Sequence, residues 1–301
     1  MKKTLVKLSI LLLFISVASF GQIQKSIPKT TESIYGYLEF LPSDYALAER
    51  EFPVIIFLHG LGEVGSGSIA DLEKVKRNGP PMLIDQNKWP VKSPFTGKYP
   101  AENFVVISPQ MANITFNPGL LSKFIEYVKL KYGKVDHGRI YLTGLSAGGI
   151  SIWNYINQYN QQVAAVIPIA GNGNSVSKNA TFFKDIPLWA FHGDADPTVN
   201  TGGSTGPVKV LNALVPPPNP KAKVTIYNGV GHDSWTRTYD LTGTSKYDAK
   251  YDPFNISIYD WLLQFDKSPE PPVVQSGIYV DSVWIGPSPA TFEGHTVEYR
   301  N

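Results

Sequence analysis

The feature that most constrains the fold is an alternation of short apolar runs with segments whose apolar residues recur at helical spacing. The runs are rich in β-branched and aromatic residues and lie at 52–58, 104–108, 139–143, 163–169, 188–191 and 224–227. Such nearly continuous apolar runs are typical of strands buried on both faces. The helical segments lie between or after them, at 118–132, 147–159, 205–214 and 254–265. The alternation predicts an α/β protein with a mostly parallel central sheet flanked by helices.

The domain organisation follows from where this alternation begins and ends. An additional strand at 35–40 is expected to start an antiparallel edge, and the main domain is predicted to span 30–266. The Pro-rich stretch 267–277 then indicates a linker. Residues 278–301 begin with one strand-like run at 278–285. We expect them to be the start of a further segment or domain, truncated here, with packing back onto the main domain as the alternative.

The N-terminal residues 1–21 have the layout of a secretory signal peptide. Three lysines precede an apolar run at 8–20, and small residues follow where a signal peptidase would cut. A membrane helix is the alternative, but the run is shorter than the roughly 20 apolar residues that a span requires. We therefore expect a secreted or periplasmic protein with no stable membrane span after removal of the signal.

Charge and cysteine content exclude several classes of partner and site. Removal of 1–21 takes away three lysines and no acid, which changes the formal net charge from +2 to −1. Since no dense basic cluster follows, nucleic acid is not expected as a partner. The chain has no cysteine, so disulfides, thiolate metal sites and a cysteine nucleophile are excluded.

The strongest local signal for chemistry is the sequence Gly-Leu-Ser-Ala-Gly at 144–148. It follows the strand predicted at 139–143 and opens a predicted helix, which is the context of a Gly-x-Ser-x-Gly nucleophile elbow. The glycines allow the backbone to turn so tightly that the hydroxyl of Ser146 stands above the sheet. A serine in an ordinary glycine-rich helix start is the alternative interpretation.

A serine nucleophile needs a base and a group that orients the base. Asp196 follows the strand predicted at 188–191, and His232 follows the strand predicted at 224–227. Because ligands and catalytic groups gather at the carboxyl ends of parallel strands, Ser146, Asp196 and His232 are predicted to converge there. Their order along the chain is also that of known hydrolases with this elbow.

Each partner of the serine has rivals in the sequence. Asp194 competes with Asp196, which we favour because it lies deeper in the loop and directly precedes a proline. His59 and His192 compete with His232, but both abut the end of a strand and precede glycine, as structural turn residues do. His232 is the preferred base.

An acyl-transfer reaction also needs donors for the oxyanion of its tetrahedral intermediate. The backbone N–H of Ala147 follows the nucleophile at the start of a helix. The backbone N–H of Leu61 lies in the glycine-rich turn after the strand at 52–58. These two groups are the predicted oxyanion hole, and no metal or organic cofactor is needed.

Several motifs in fixed order resemble those of a known family between residues 35 and 265. They are FLHGLGEVGSG from Phe57, VISPQ from Val106, RIYLTGLSAGG from Arg139, PIAG from Pro168, PLWAFHGDAD from Pro187 and GHDSW from Gly231. The chain resembles secreted α/β-hydrolase esterases and predicted peptidases of the phospholipase/carboxylesterase and polyhydroxybutyrate-depolymerase-like group. It is similar to carbohydrate esterases of family 1, which remove acetyl or feruloyl groups from xylan.

The resemblance implies an α/β-hydrolase fold and assigns roles to particular residues. Ser146, Asp196 and His232 occupy the triad positions, and the turn at Leu61 supplies an oxyanion donor. Gln110 is expected to line the substrate pocket, with capping of a neighbouring loop as its alternative role.

Two features depart from the relatives. Ala147 stands where many relatives carry methionine, and the glycine-rich stretch 201–206 has the composition of a flexible local insertion. Neither position belongs to the predicted triad, but both affect the expected substrate preference.

The resulting hypothesis is a secreted serine esterase that acts through an acyl-enzyme, with acetyl or feruloyl esters on xylan as substrate. A serine peptidase or a general carboxylesterase of the same fold is one alternative. Another is a non-catalytic carbohydrate-binding protein that uses Trp89, Trp235 or Trp284. In the enzyme hypothesis, Trp235 is a candidate substrate contact together with Gln110.

Overall fold

A computed structural model of the protein describes residues 24–95 and 104–268, together with the strands at 277–280, 283–286 and 297–300. The predicted signal peptide at 1–21 and residues 269–276 of the predicted linker lie outside the described residues. Contacts between Cα atoms divide the chain into two compact units, Met1–Asp266 and Lys267–Asn301.

The first unit contains an eight-stranded sheet in the order β1-β2-β4-β3-β5-β6-β7-β8. Strands β3 to β8 run parallel, whereas β1 and β2 pair antiparallel to their neighbours. This sheet and its helices form an α/β-hydrolase fold, which confirms the predicted class. The strands are β1 (Lys25–Ile27), β2 (Tyr37–Phe40), β3 (Phe52–Leu58), β4 (Val105–Pro109), β5 (Val135–Leu145), β6 (Ala165–Ile169), β7 (Trp189–Gly193) and β8 (Lys223–Tyr227).

Helices cover both faces of the sheet. The α-helices are α1 (Ile69–Leu72), α2 (Gly79–Asp85), α3 (Pro118–Lys131), α4 (Ala147–Ile156), α5 (Ala180–Phe183), α6 (Gly202–Asn212), α7 (Trp235–Tyr239) and α8 (Ile258–Leu262). Buried side chains from α3 to α6 belong to the core on one face. Those from α1, α2, α7 and α8 belong to the core on the other face.

Strand β3 shows why the apolar runs become central strands. All seven of its residues are buried. Because successive side chains of a strand point to opposite faces, Val54 and Ile56 pack into one core and Ile55 and Phe57 into the other. A run with polar residues at alternate positions would expose those residues to an apolar core, so only a continuous apolar run fits here.

The structure corrects three of the sequence-based expectations. Strand β2 is antiparallel as expected, but β1 lies outside it at the edge. The glycine-rich stretch 201–206 is not a flexible insertion, because α6 begins at Gly202. The run at 278–285 is not one strand.

The second unit contains a three-stranded antiparallel sheet in the order β10-β9-β11. Its strands are β9 (Gly277–Val280), β10 (Val283–Gly286) and β11 (Val297–Arg300). The predicted single strand is therefore two strands, since β9 and β10 pair antiparallel with each other.

A short segment covers the other edge of the main sheet, along β8. The backbone N–H of Asp248 donates to Ile226 O at 2.6 Å, and that of Asp252 donates to Val224 O at 2.9 Å. The carboxylate of Asp252 accepts the Val224 N–H at 2.9 Å. Val224 N–H and the carbonyl oxygens of Val224 and Ile226 on this edge strand are thus used within the chain.

Within the described residues, none of the helices combines the length and the apolar character that a membrane crossing requires. In the same residues, no group of three or more histidine, aspartate or glutamate side chains is arranged to hold a metal ion.

Candidate active site

Ser146 lies in the tight turn between β5 and α4. Its backbone has φ 52° and ψ −116°, a combination that residues with side chains rarely adopt. Such a conformation costs about 1–3 kcal/mol and persists only where the surroundings enforce it. Two backbone hydrogen bonds hold Ser146 in this conformation. Ser146 N–H donates to Ile169 O and Ser146 O accepts from Ile150 N–H, both at 2.9 Å.

The two glycines of the motif allow this turn to sit against the end of β3. A Cβ atom on Gly144 would lie 2.5 Å from Leu58 O, and one on Gly148 would collide with the same carbonyl oxygen. Residues 58 and 144 are neighbours across the parallel pair β3 and β5. The pattern Gly-x-Ser-x-Gly therefore reflects close backbone packing at the carboxyl end of the sheet.

Three predicted residues form one hydrogen-bonded chain at this end of the sheet. Ser146 Oγ lies 2.8 Å from His232 Nε2. His232 Nδ1 lies 2.8 Å from Asp196 Oδ2. Because the carboxylate only accepts hydrogen bonds, Nδ1 carries a proton, and Nε2 is the ring atom placed to accept the serine proton.

Asp196, and not Asp194, is the carboxylate that contacts His232. The Asp196 side chain is fully buried, and its Oδ1 accepts the backbone N–H groups of Thr198 and Val199 at 2.8 and 3.0 Å. Burial acts to raise the pKa of Asp196, but the hydrogen bonds from His232, Val199 and Thr198 outweigh it and hold the pKa below its ordinary value. The group is therefore ionised at neutral pH.

Asp194 has a different partner. It is exposed, and its Oδ1 accepts the backbone N–H of Gly229 at 2.6 Å. This bond ties the loop after β7 to the loop before His232, and aspartate side chains commonly stabilise turns at strand exits in this way.

A second histidine also contacts the Asp196 carboxylate. His192 Nε2 lies 3.1 Å from Asp196 Oδ2 and 3.0 Å from Val199 O. Because Val199 O only accepts, Nε2 carries the proton, and Nδ1 accepts the hydroxyl of Ser204 at 2.8 Å. Burial lowers the pKa of His192, and the bonds to Val199 and Asp196 offset this only in part. His192 is a neutral donor to the carboxylate.

Leu61 and Ala147, the predicted oxyanion donors, are each the first residue of a helix. Leu61 opens a short 3-10 helix, Leu61–Glu63, and Ala147 opens α4. The first N–H groups of a helix have no acceptor within that helix, so both are available to an anion. The Leu61 side chain is 57% exposed, so this turn borders solvent.

Gln110, a predicted substrate contact, is 2% exposed. Its Nε2 donates to the backbone oxygens of Glu63 and Asp71 at 2.8 and 2.7 Å, and its Oε1 accepts the Gly67 N–H at 2.9 Å. It borders a cavity of about 130 Å³ beside Met111. These three bonds match the alternative role, in which Gln110 caps a neighbouring loop.

Trp235, the other predicted substrate contact, lies beside the candidate base. Its ring is edge-on to the ring of His232, with centroids 5.1 Å apart and planes at 88°. The side chain is partly exposed, and its Nε1–H donates to Asn78 Oδ1 at 3.0 Å.

Ser204 is the clearest residue at this site that sequence reasoning missed. It lies in the glycine-rich stretch 201–206, whose composition suggests a flexible insertion. The helix instead begins there and places the Ser204 hydroxyl against His192. Composition gives no signal for this contact, because it depends on the close approach of α6 to a distant segment, where Asn172 lies 3.0 Å from where a Cβ of Gly203 would stand.

Comparison with known proteins gives matches of three kinds. The Phospholipase/Carboxylesterase family model matches residues 46–242. Acyl-protein thioesterase 1 of Neurospora crassa is 24% identical over 214 residues, which cover 64% of this chain and 84% of that protein. A thermostable esterase of known structure aligns with a TM-score of 0.55 at 24% identity, over 82% of this chain and 63% of that one.

These matches differ in what they establish. This chain spans less than two thirds of the thermostable esterase, and at that identity the likeness establishes the shared fold alone. The family model is more informative, because it extends from residue 46 to residue 242 and so covers more than half of the sequence. It includes the elbow and the loops that carry Asp196 and His232, and on that coverage the chain belongs to the phospholipase/carboxylesterase family of α/β hydrolases.

Proposed function

We propose that the protein is a secreted serine esterase that hydrolyses carboxylic esters through an acyl-enzyme, with acetyl or feruloyl esters on xylan as its substrates. The observation that carries this proposal is the hydrogen-bonded chain Ser146–His232–Asp196 at the carboxyl end of the sheet. A purely sugar-binding protein has no use for a strained serine with an imidazole nitrogen 2.8 Å from its hydroxyl oxygen.

The reaction takes place in two halves. His232 Nε2 accepts the proton of Ser146 Oγ as that oxygen attacks the ester carbonyl carbon, and Asp196 stabilises the imidazolium that forms. The N–H groups of Leu61 and Ala147 stabilise the oxyanion. Collapse breaks the bond to the alcohol, which leaves with the proton from His232. Water then attacks the acyl-enzyme by the same route and releases the acid.

Support for the substrate and for export comes from the sequence. The lysine-rich, apolar segment at 1–21 has the layout of a signal peptide, and export favours a polymer-linked ester over an intracellular metabolite. Trp235 is partly exposed beside His232. We propose that an aromatic acyl group or a sugar ring of the substrate contacts it. N-terminal sequencing of the exported protein tests the cleavage after residue 21.

The role of Ser146 is tested by Ser146→Ala. Without the hydroxyl no acyl-enzyme forms, so we expect turnover of a nitrophenyl ester to fall by about 10⁶-fold while the thermal unfolding curve is retained. A fluorophosphonate should label the unchanged protein at Ser146 and leave the variant unlabelled. Activity in Ser146→Ala close to that of the unchanged protein would rule out this nucleophile.

A matched pair of carboxylate variants serves as the control. Asp196→Asn removes the negative charge beside His232 and should lower kcat by about 10⁴-fold. Asp194→Asn changes a carboxylate two residues away that contacts Gly229, and should leave kcat nearly unchanged. Equal losses in the two variants would contradict the assignment of Asp196.

Substrate class is resolved by product analysis on acetylxylan, methyl ferulate, an acyl thioester and a peptide panel. Release of acetate or ferulate is the expected result. The thioester arm is included because one relative is named an acyl-protein thioesterase. Preferential cleavage of the thioester or of a peptide would retain the serine mechanism and reject the xylan substrate.

A further inference from the structure

A line of side-chain contacts joins the candidate base to the turn that carries Leu61. It begins at His232, whose ring lies against the ring of Trp235. Trp235 Nε1–H donates to Asn78 Oδ1 at 3.0 Å. Asn78 Nδ2 in turn donates to Glu63 Oε1 at 2.5 Å. Glu63 and Asn78 therefore meet a distant segment, residues 232–235, beside the site.

Glu63 ends this line and lies within the turn itself. It is the last residue of the 3-10 helix Leu61–Glu63, and it is 4% exposed. Its carboxylate packs against the backbone of Gly60, which precedes the turn. Burial raises the pKa of Glu63, and the hydrogen bond from Asn78 offsets that effect only in part.

The Glu63 carboxylate lies beside the start of the turn. Gly60 precedes the turn and provides no side-chain cap, and Glu63 Oε2 lies 3.3 Å from where a Cβ of Gly60 would stand. The peptide that joins Gly60 to Leu61 carries the N–H of Leu61. A shift of Gly60 against this carboxylate would therefore move the predicted oxyanion donor.

Two neighbouring charged or titratable groups complete the surroundings of Glu63. Arg77 Nη1 donates to Gly62 O at 3.2 Å and holds the outer side of the turn. His59 Nδ1 lies 3.9 Å from Glu63 Oε2, but burial lowers the pKa of His59 to about 4. His59 is thus neutral at pH 7, and the turn is held by hydrogen bonds and not by an ion pair with His59.

We propose that Glu63, Asn78 and Trp235 form a positioning network that couples the orientation of the Leu61 turn to that of His232. The inference rests on the proposed function, because it assumes that Leu61 N–H binds the oxyanion and that His232 is the base. Glu63 and Asn78 act on the reaction only through these two groups.

Single variants break the network at its two ends. Glu63→Gln replaces one carboxylate oxygen with an NH₂ donor, so either the bond from Asn78 Nδ2 is lost or an N–H group is placed against the backbone of Gly60. Because the oxyanion forms only in the transition state, we expect kcat to fall by about 10- to 100-fold with KM little changed. Trp235→Phe keeps the ring beside His232 and removes the N–H, with an expected loss of about 3- to 10-fold.

The double variant tests the coupling. If Glu63 and Trp235 act through one network, breaking it twice should cost no more than the larger single loss. Independent contributions would instead multiply. A double variant whose loss equals the product of the two single losses would therefore overturn the proposed coupling.

Matched controls come from the same chain. Glu39 is also buried and accepts a hydroxyl, from Tyr132 at 2.6 Å, and Trp189 donates its N–H to Thr225 at 2.9 Å. Glu39→Gln and Trp189→Phe make the same chemical changes in other networks, so their kcat should stay within about twofold of the unchanged protein. Losses as large as those of Glu63→Gln would indicate a general effect of buried substitutions and overturn the proposal.

A transition-state analogue distinguishes positioning from loss of structure. A trifluoromethyl ketone forms a tetrahedral oxyanion adduct, so its affinity for Glu63→Gln should weaken in parallel with kcat. The variant should still unfold cooperatively, which shows that its structure is retained. Where Glu63→Gln does not fold, Asn78→Ala, at a half-buried position, removes both side-chain bonds and should give the same parallel loss.

The two proposals fail in different ways. No esterase activity and no fluorophosphonate labelling of the unchanged protein would overturn the proposed function, and the network with it. An active protein in which the network variants keep the kcat and ketone affinity of the unchanged chain would overturn the network alone.

Discussion

Three histidines lie at or after the carboxyl ends of strands, and hydrogen bonds give each a different state. His59 Nε2 accepts the backbone N–H of Met111 at 3.0 Å, and its Nδ1 donates to Gly60 O at 2.6 Å. His192 carries its proton on Nε2, and His232 carries its proton on Nδ1. The sequence favoured His232 as base by its position, but the partners that fix the other two, Met111 and Ser204, come from distant segments that no local pattern reveals.

The state of His59 makes stability depend on pH. Burial lowers its pKa to about 4, whereas an unfolded histidine has a pKa of about 6.5. Between these values the unfolded chain binds more protons than the folded chain, so the free energy of unfolding decreases as pH falls. His59 contributes its full stabilisation above about pH 6.5, and about 3 kcal/mol of it is lost by pH 4.

The variant His59→Gln checks this expectation by chemical denaturation between pH 7 and pH 4. Glutamine does not titrate in this range, so the free energy of unfolding should decline less steeply with falling pH than in the unchanged protein. His137→Gln, at an exposed histidine, should retain the original slope. Parallel slopes for His59→Gln and the unchanged protein would show that His59 is not the titrating group.

At the scale of elements, the elbow depends on how closely α4 approaches β3. Gly148→Ala would force a methyl group into the carbonyl oxygen of Leu58, which belongs to a central strand and cannot move aside. We expect the free energy of unfolding to fall by about 3 kcal/mol, measured by urea denaturation. Gly133→Ala is the control, because a Cβ there meets nothing within 4 Å. A stable Gly148→Ala would mean that the two backbones separate easily.

The elements themselves were predictable to different degrees. The run at 52–58 coincides with β3, and the pattern at 118–132 with α3, because a central strand and a long amphipathic helix each bury a regular set of side chains. The pattern at 254–265 contains only the short helix α8. The 3-10 helix at Leu61–Glu63 is too short to show a periodic pattern. It is held by tertiary contacts, such as the bond from Gln110 Nε2 to Glu63 O.

At the scale of the molecule, every residue of the candidate site lies in the unit Met1–Asp266. Tyr141 donates its hydroxyl to Phe265 O at 2.7 Å, so the last turn of this unit is fixed to β5. We expect a chain ending at Asp266 to fold and to hydrolyse a nitrophenyl ester within about twofold of the full chain.

A shorter chain tests whether the first unit needs the residues between 257 and 266 in order to fold. Ending the chain at residue 256 removes α8, whose Ile258, Trp261 and Leu262 are buried in one core, and should abolish cooperative unfolding. If the chain ending at Asp266 also fails to fold, residues beyond 266 are required for the first unit.

The segment that lies along β8 has a consequence for the protein at high concentration. An edge strand with free N–H and carbonyl groups is a template on which a strand of another molecule can add. Here Val224 O and Ile226 O already accept the backbone N–H groups of Asp252 and Asp248, and Val224 N–H already donates to the Asp252 carboxylate. A strand of another molecule could add at this edge only after residues 248–252 had detached from β8. The fold itself therefore opposes fibre growth through this edge.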